Sequence, residues 1–206
     1  MDKTLLRRRR LLVYLGLGAL GATSAAIAIP ALKKSTALLP STPTASSNGA
    51  AAKATAKAAV GGKTLPEFQG ISEWINSDPL TIAELKGNVI LVQFWTFSCI
   101  NCQRTLPYIT QWHGQYAAQG LKVIGVHTPE FAFERERGNI EDALRRHQIT
   151  YPVPVDNDFK TWNAYDNGYW PHLFLADRQG VLRYDHIGEG AYEETEGVIQ
   201  QLLAET

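Results

Sequence analysis

Only two of the 206 residues are cysteines, and they stand together as Cys99-Ile100-Asn101-Cys102. A near-continuous apolar run, Val89-Ile90-Leu91-Val92-Gln93-Phe94-Trp95, comes just before them, and such a run suits a strand buried on both faces. After them, Leu106, Ile109, Trp112 and Tyr116 are spaced to share one face of a helix. The pair therefore sits where a buried strand turns into a helix. A helix start presents free N–H groups and the positive end of the dipole, and both favour a thiolate. Two intervening residues put the second sulfur one turn along, within reach of the first. A mixed disulfide formed at Cys99 is then open to resolution by Cys102, which makes Cys99 the nucleophile, Cys102 the resolving thiol and Cys99–Cys102 the disulfide of the oxidised form. So short a loop gains little from cross-linking, so the bond suits exchange better than stapling.

Metal binding fits less well. A structural zinc site takes four ligands, yet there is no second cysteine pair. His113, His127, His147, His172 and His186 form no ligand-spaced pair. No metal and no cofactor is expected.

The elements that position the pair alternate between strand and helix signals. A second buried strand is expected over residues 121–126. Asn139 is expected to cap a helix running to His147, with Glu141 and Asp142 early and Arg145 and Arg146 late, as the helix dipole favours. A short strand over 151–155 and a short helix over 159–165 follow. Strands over 172–176 and 181–186 are joined by Asp177-Arg178-Gln179-Gly180, whose glycine marks a tight hairpin turn. A last helix covers 192–203. Helices between strands imply parallel pairing, and the hairpin adds an antiparallel pair. The expected fold class is α/β, a mixed central sheet flanked by helices.

The formal net charge of zero conceals two opposed parts. Residues 1–64 carry +9 and residues 65–206 carry −9. An acidic folded part argues against nucleic-acid binding. Arg7, Arg8, Arg9 and Arg10 precede an uncharged run over 11–32, and Lys33 and Lys34 close it. The run is long enough to cross a bilayer, and the arginines are expected on the cytoplasmic side. Two readings stand for residues 1–34. One is a retained membrane anchor. The other is a twin-arginine-like signal peptide, with Ala26-Ile27-Ala28 as a small-x-small cleavage site. Residues 35–64 are rich in Ala, Ser, Thr and Pro and lack aromatics, as a flexible linker does. Aromatic residues return from 65 onward, so 65–206 is expected to be one folded domain.

The stretch Phe94-Trp95-Thr96-Phe97-Ser98-Cys99-Ile100-Asn101-Cys102 resembles the Phe-Trp-x-x-x-Cys-x-x-Cys box of the thioredoxin superfamily, in particular its extracytoplasmic TlpA/ResA/CcmG-like thiol–disulfide oxidoreductases. Pro107 and Trp170-Pro171 fall where that family has a helix proline and a cis-proline loop. Val126-His127-Thr128-Pro129-Glu130-Phe131 and His186-Ile187-Gly188-Glu189-Gly190 further resemble the thioredoxin-like domain of DipZ-type proteins.

The resemblance implies a thioredoxin-like fold over 65–206 and exchange with protein thiols and disulfides outside the cytoplasm. It implies a cis Trp170-Pro171 bond, with Tyr169, Trp170, Pro171 and His172 lining a substrate groove beside Cys99. It also implies a membrane electron donor of CcdA type, expected as a separate protein. Gln93 departs from the pattern, since thioredoxins carry a buried Asp six residues before the first Cys. Glu130 is the candidate acid/base in its place, and His127 is a second.

Other functions share this fold. A thiol peroxidase usually shows Pro-x-x-x-Thr-x-x-Cys, which this chain lacks. A Sco-like copper-handling module uses Cys-x-x-x-Cys and a distal His. Ile100-Asn101 does not set the direction of electron flow; the resemblance leans to reduction.

Overall fold

The computed structural model describes residues 62–205. The expected anchor or signal segment and nearly all of the linker lie outside the described residues. Among the described residues, no helix is long and apolar enough to cross a membrane.

Six strands form one sheet: β1 (Glu73–Ile75), β2 (Val89–Trp95), β3 (Leu121–His127), β4 (Val153–Val155), β5 (His172–Ala176) and β6 (Leu182–Ile187). Their order is β1-β4-β3-β2-β5-β6. β2 runs parallel to β3, and β3 to β4; β2–β5, β5–β6 and β1–β4 are antiparallel. The central position of β2 explains its composition. All seven of its residues are buried, as a strand covered on both faces requires.

The pleat divides the core between those faces. Val89, Leu91 and Trp95 pack with Cys102, Leu106, Ile109 and Trp112 of α2 (Ile100–Tyr116). Ile140 and Leu144 of α3 (Arg137–Arg146) and Ile199 and Leu202 of α5 (Tyr192–Ala204) belong to the same cluster. Ile90, Val92 and Phe94 pack instead with Ile82 and Leu85 of α1 (Ile82–Leu85), Trp162 of α4 (Lys160–Ala164), Tyr165 and Phe174. The expected mixed sheet with helices on both faces is thus present.

One local expectation changes, and two elements carry no sequence signal. β1 and α1, three residues of edge strand and one capped turn, are too short to show a period. Helix α3 begins at Arg137 behind an extended Glu136, so Asn139 lies inside the first turn and does not cap it. The Asn139 side chain donates to the Phe133 carbonyl at 2.9 Å and ties the helix to the preceding loop. The first described residues join the sheet edge, where Thr64 bridges Val181 and Leu182 N–H donates to the Lys63 carbonyl.

Gly125 on β3 is a close approach that the core depends on. A Cβ there would lie 2.7 Å from Tyr151 Cε2 and 3.1 Å from Trp95 Nε1. Trp95 Nε1 donates to the Gly125 carbonyl at 3.1 Å and the Tyr151 ring is fully buried in the core, so neither ring has room to retreat. Gly125→Ala is expected to cost about 1–3 kcal/mol through overpacking. Urea unfolding reads this as a lowered midpoint at unchanged slope; an unaltered midpoint would show that the rings move aside at no cost.

Candidate active site

The two cysteines occupy the expected junction. Cys99 is the N-cap of α2, with extended backbone at φ −68° and ψ 115°. Its sulfur accepts from Cys102 N–H at 3.3 Å, as a capping side chain does. Both are free thiols, Cys99 half-buried and Cys102 fully buried. Their electrostatics diverge accordingly. The Cys102 thiol hydrogen-bonds the Cys99 sulfur and favours its thiolate; burial opposes this, and the Cys102 and Asn101 N–H groups add to it. Cys99 is left with a pKa lowered to about 7. Burial pushes the Cys102 thiol far up, and hydrogen bonding to Cys99 adds to that shift. One sulfur is thus reactive near neutral pH, and the other holds its proton until its partner has reacted.

The Trp170-Pro171 bond is cis. The Trp170 carbonyl lies 3.9 Å from Cys99 Sγ. The Trp170 indole turns away, donating to the Thr128 carbonyl at 3.1 Å and packing on Trp162 at 4.2 Å between ring centroids. Tyr169 is exposed at the loop tip, as are Ile100 on α2 and Phe131.

His172 differs from the expectation that it lines the groove. Residues of β5 alternate across the sheet, so His172 shares the face of Phe174, on which its ring packs at 4.0 Å. The imidazole is buried and bonded to Asn167 and Asp185, so it lies behind the loop.

Gln93 is fully buried on β2 in register with Gly125 and Leu173, and neither of its amide atoms meets a protein partner. Of the two candidate acid/base groups, His127 is fully buried and stacked on Phe97 at 5.7 Å, with Nε2 3.4 Å from Thr96 Oγ1. Burial holds its pKa down to about 4, so it is neutral at pH 7. Glu130 is exposed, close enough for its charge to raise the Cys99 pKa.

The acid that the residue pattern did not single out is Glu134, in a 3-10 turn over Ala132–Arg135. It is fully buried and joins the two loops beside the cysteines. Its Oε1 accepts from Ser98 Oγ at 2.6 Å and Ser98 N–H at 3.2 Å. Its Oε2 accepts from Glu130 N–H at 2.6 Å and Phe131 N–H at 2.8 Å. Burial opposes the charge, but the hydroxyls of Ser98 and Thr96 and these N–H groups hold the carboxyl below its ordinary range. Its charge in turn helps keep Cys102 protonated. Nothing in the local pattern distinguishes Glu134 from its exposed neighbours Glu130 and Glu136. Among the described residues, no cluster of His, Cys, Asp and Glu could hold a metal ion.

Comparison with known proteins adds to this geometry. The AhpC/TSA family model matches residues 62–185. The chain is 44% identical over 143 residues to Protein DipZ of Mycobacterium bovis, a match that takes in 68% of this chain and only 21% of DipZ. Thiol-disulfide oxidoreductase YkuV of Bacillus subtilis is 32% identical over 143 residues, covering 69% of this chain and 95% of YkuV. A solution structure of a thioredoxin-like protein in the oxidized form aligns with a TM-score of 0.64 at 30% identity, over 69% of this chain and 96% of that one.

Proposed function

Since this chain belongs to the AhpC/TSA family, we propose that it is a thioredoxin-like thiol–disulfide oxidoreductase that reduces disulfides of partner proteins outside the cytoplasm through Cys99 and Cys102. The observation that carries this reading is the asymmetry of the pair: a half-buried Cys99 with pKa about 7 over a buried, protonated Cys102. The Cys99 thiolate attacks one sulfur of a partner disulfide, and the other sulfur leaves as a thiolate and takes up a proton. Cys102 then loses its proton, to solvent or to the exposed Glu130 carboxylate, and attacks Cys99 Sγ. The second partner thiolate departs, and two electrons have passed to the partner while Cys99–Cys102 becomes a disulfide.

The loop Tyr169-Trp170-Pro171 receives the partner chain, with the Trp170 carbonyl beside the reacting sulfur. A first-cysteine pKa near 7 is that of thioredoxin, whereas a strong oxidant such as DsbA has roughly 3.5. That difference favours reduction. In this proposal residues 1–34 tether or export the protein, 35–64 are a spacer, 65–206 carry the chemistry, and a CcdA-type membrane protein returns the electrons. The basic cluster before an uncharged run supports the first of these.

The test is turnover of a protein disulfide such as insulin by the reduced protein, together with redox titration of the pair. Turnover and a potential near thioredoxin's, roughly −270 mV, are expected. A potential near roughly −120 mV would make the protein an oxidant. Peroxide consumption or copper binding without disulfide exchange would overturn the reading.

A further inference from the structure

His172 is surrounded by an unusual hydrogen-bond arrangement. Its Nδ1 lies 2.7 Å from Asn167 Oδ1 and its Nε2 lies 3.2 Å from Asp185 Oδ2. Both partners are oxygens. The Asn167 amide cannot turn to offer its NH2, because Oδ1 already accepts from Gly168 N–H at 2.9 Å and Tyr169 N–H at 3.4 Å, while Nδ2 donates to the Tyr169 carbonyl at 3.3 Å. Two acceptors are satisfied together only by an imidazole that carries both protons. The neutral ring keeps Nδ1–H on Asn167, the shorter contact, and leaves a bare Nε2 against the Asp185 carboxylate. Asp185 is 37% exposed and is free to swing into water, which detaches the ring from β6.

We propose that His172 is a positioning residue: as an imidazolium held between Asn167 and Asp185, it locks the loop that presents the Trp170 carbonyl to Cys99, so that capture of protein disulfides tightens when it is protonated. The lock is mechanical. Asn167 holds the backbone of Gly168 and Tyr169, His172 holds Asn167, and Asp185 anchors His172 to the neighbouring strand. Gly188 N–H donates to the Pro171 carbonyl at 2.8 Å and ties the same loop to the end of β6. The charged or titratable groups acting on the ring are Asp185 and His186 of β6; Phe174 beneath it and Phe94 on the adjoining strand are apolar. Burial lowers the His172 pKa, Asp185 raises it, and His186 lowers it, so the ring titrates below its ordinary value of about 6.5. The lock therefore closes as pH falls through that region and opens as pH rises.

The inference rests on the proposed exchange with proteins docked at this loop. Its test uses the 206-residue chain and two substrates, a protein disulfide and a small aromatic disulfide that needs no groove. The ratio of their kcat/KM values cancels the titration of Cys99, which both substrates require. In the wild type the ratio is expected to rise about threefold to tenfold as pH falls through the His172 titration, the range for gaining one hydrogen bond. In Asp185→Asn the rise is expected about one pH unit lower, since a neutral partner no longer favours the charged ring. In His172→Gln the ratio is expected to stay flat. A flat ratio in the wild type, or the same rise in wild type and Asp185→Asn, overturns the proposal while leaving the disulfide chemistry standing. Failure to turn over either substrate would instead remove the function on which it rests.

Discussion

Alkylation of the reduced protein by iodoacetamide is expected to be half-maximal in rate near pH 7, to fall about tenfold per pH unit below that, and to modify Cys99 alone. At pH 7 a thiol of pKa about 7 is half ionised, roughly fifteen times the thiolate fraction of an ordinary cysteine. A lower-pKa thiolate is a weaker nucleophile, so the net advantage in exchange is about threefold. Cys102 is excluded by its burial, which both denies the reagent access and pushes its pKa far above neutrality. The same asymmetry predicts the outcome of substitution. Cys99→Ser removes the attacking sulfur, and exchange should drop to the uncatalysed background. Cys102→Ser keeps the attack but lacks the resolving step, so it should accumulate a mixed disulfide with its partner, visible by mass spectrometry and released by dithiothreitol. Labelling of Cys102 first, or stable mixed disulfides from Cys99→Ser, would reverse the assignment.

Glu134→Ala should be strongly damaging, destabilising the protein by about 2–4 kcal/mol. It takes a charged acceptor from Ser98 Oγ and from the N–H groups of Ser98, Glu130 and Phe131. Ser98, Glu130 and Phe131 are exposed, so water recovers part of the loss. The carboxyl is held below its ordinary pKa when folded, so the folded state keeps it ionised more readily than the unfolded chain does. Its contribution is therefore complete above the unfolded value of about 4.3 and fades as pH falls through the folded value. The stability gap between wild type and Glu134→Ala should accordingly be full at pH 7 and shrink below about pH 4, as read by denaturant unfolding at several pH values. A gap that stays constant down to pH 3, or one under about 1 kcal/mol at pH 7, would show that the carboxylate does not clamp these loops. Loss of its charge should also ease deprotonation of Cys102, so that whatever folded variant remains resolves mixed disulfides at lower pH.

Both predictions concern the same few ångströms, yet they were not equally legible beforehand. The cysteine pair announced itself because every feature that defines it is local: the apolar run of β2, the two-residue gap, and the face formed by Leu106, Ile109, Trp112 and Tyr116. Helix α3 shows how local reasoning slips by a small amount. Asn139 is a good capping residue by type, but the chain had already turned helical at Arg137, and the Asn139 side chain found the Phe133 carbonyl. Glu134 and His172 were beyond such reasoning altogether. The partners of Glu134 include Ser98, 36 residues away, and nothing near Glu134 marks it as the acid to bury. His172 was expected at the groove because it follows Pro171, but strand alternation placed its ring on the opposite side of β5, against Phe174 and Asp185.

The sequence by itself determined the strand–Cys–helix junction, the alternation of strands and helices that makes a mixed sheet, and the chemistry of two thiols one turn apart. These follow from periodicity and spacing, which act over a few residues. The tertiary structure alone decided which carboxylate is buried beside the thiols, which side of the loop His172 supports, and how far apart the two sulfurs lie in pKa. Those depend on desolvation and on hydrogen bonds between segments that meet only when the sheet assembles, and no local pattern carries that information.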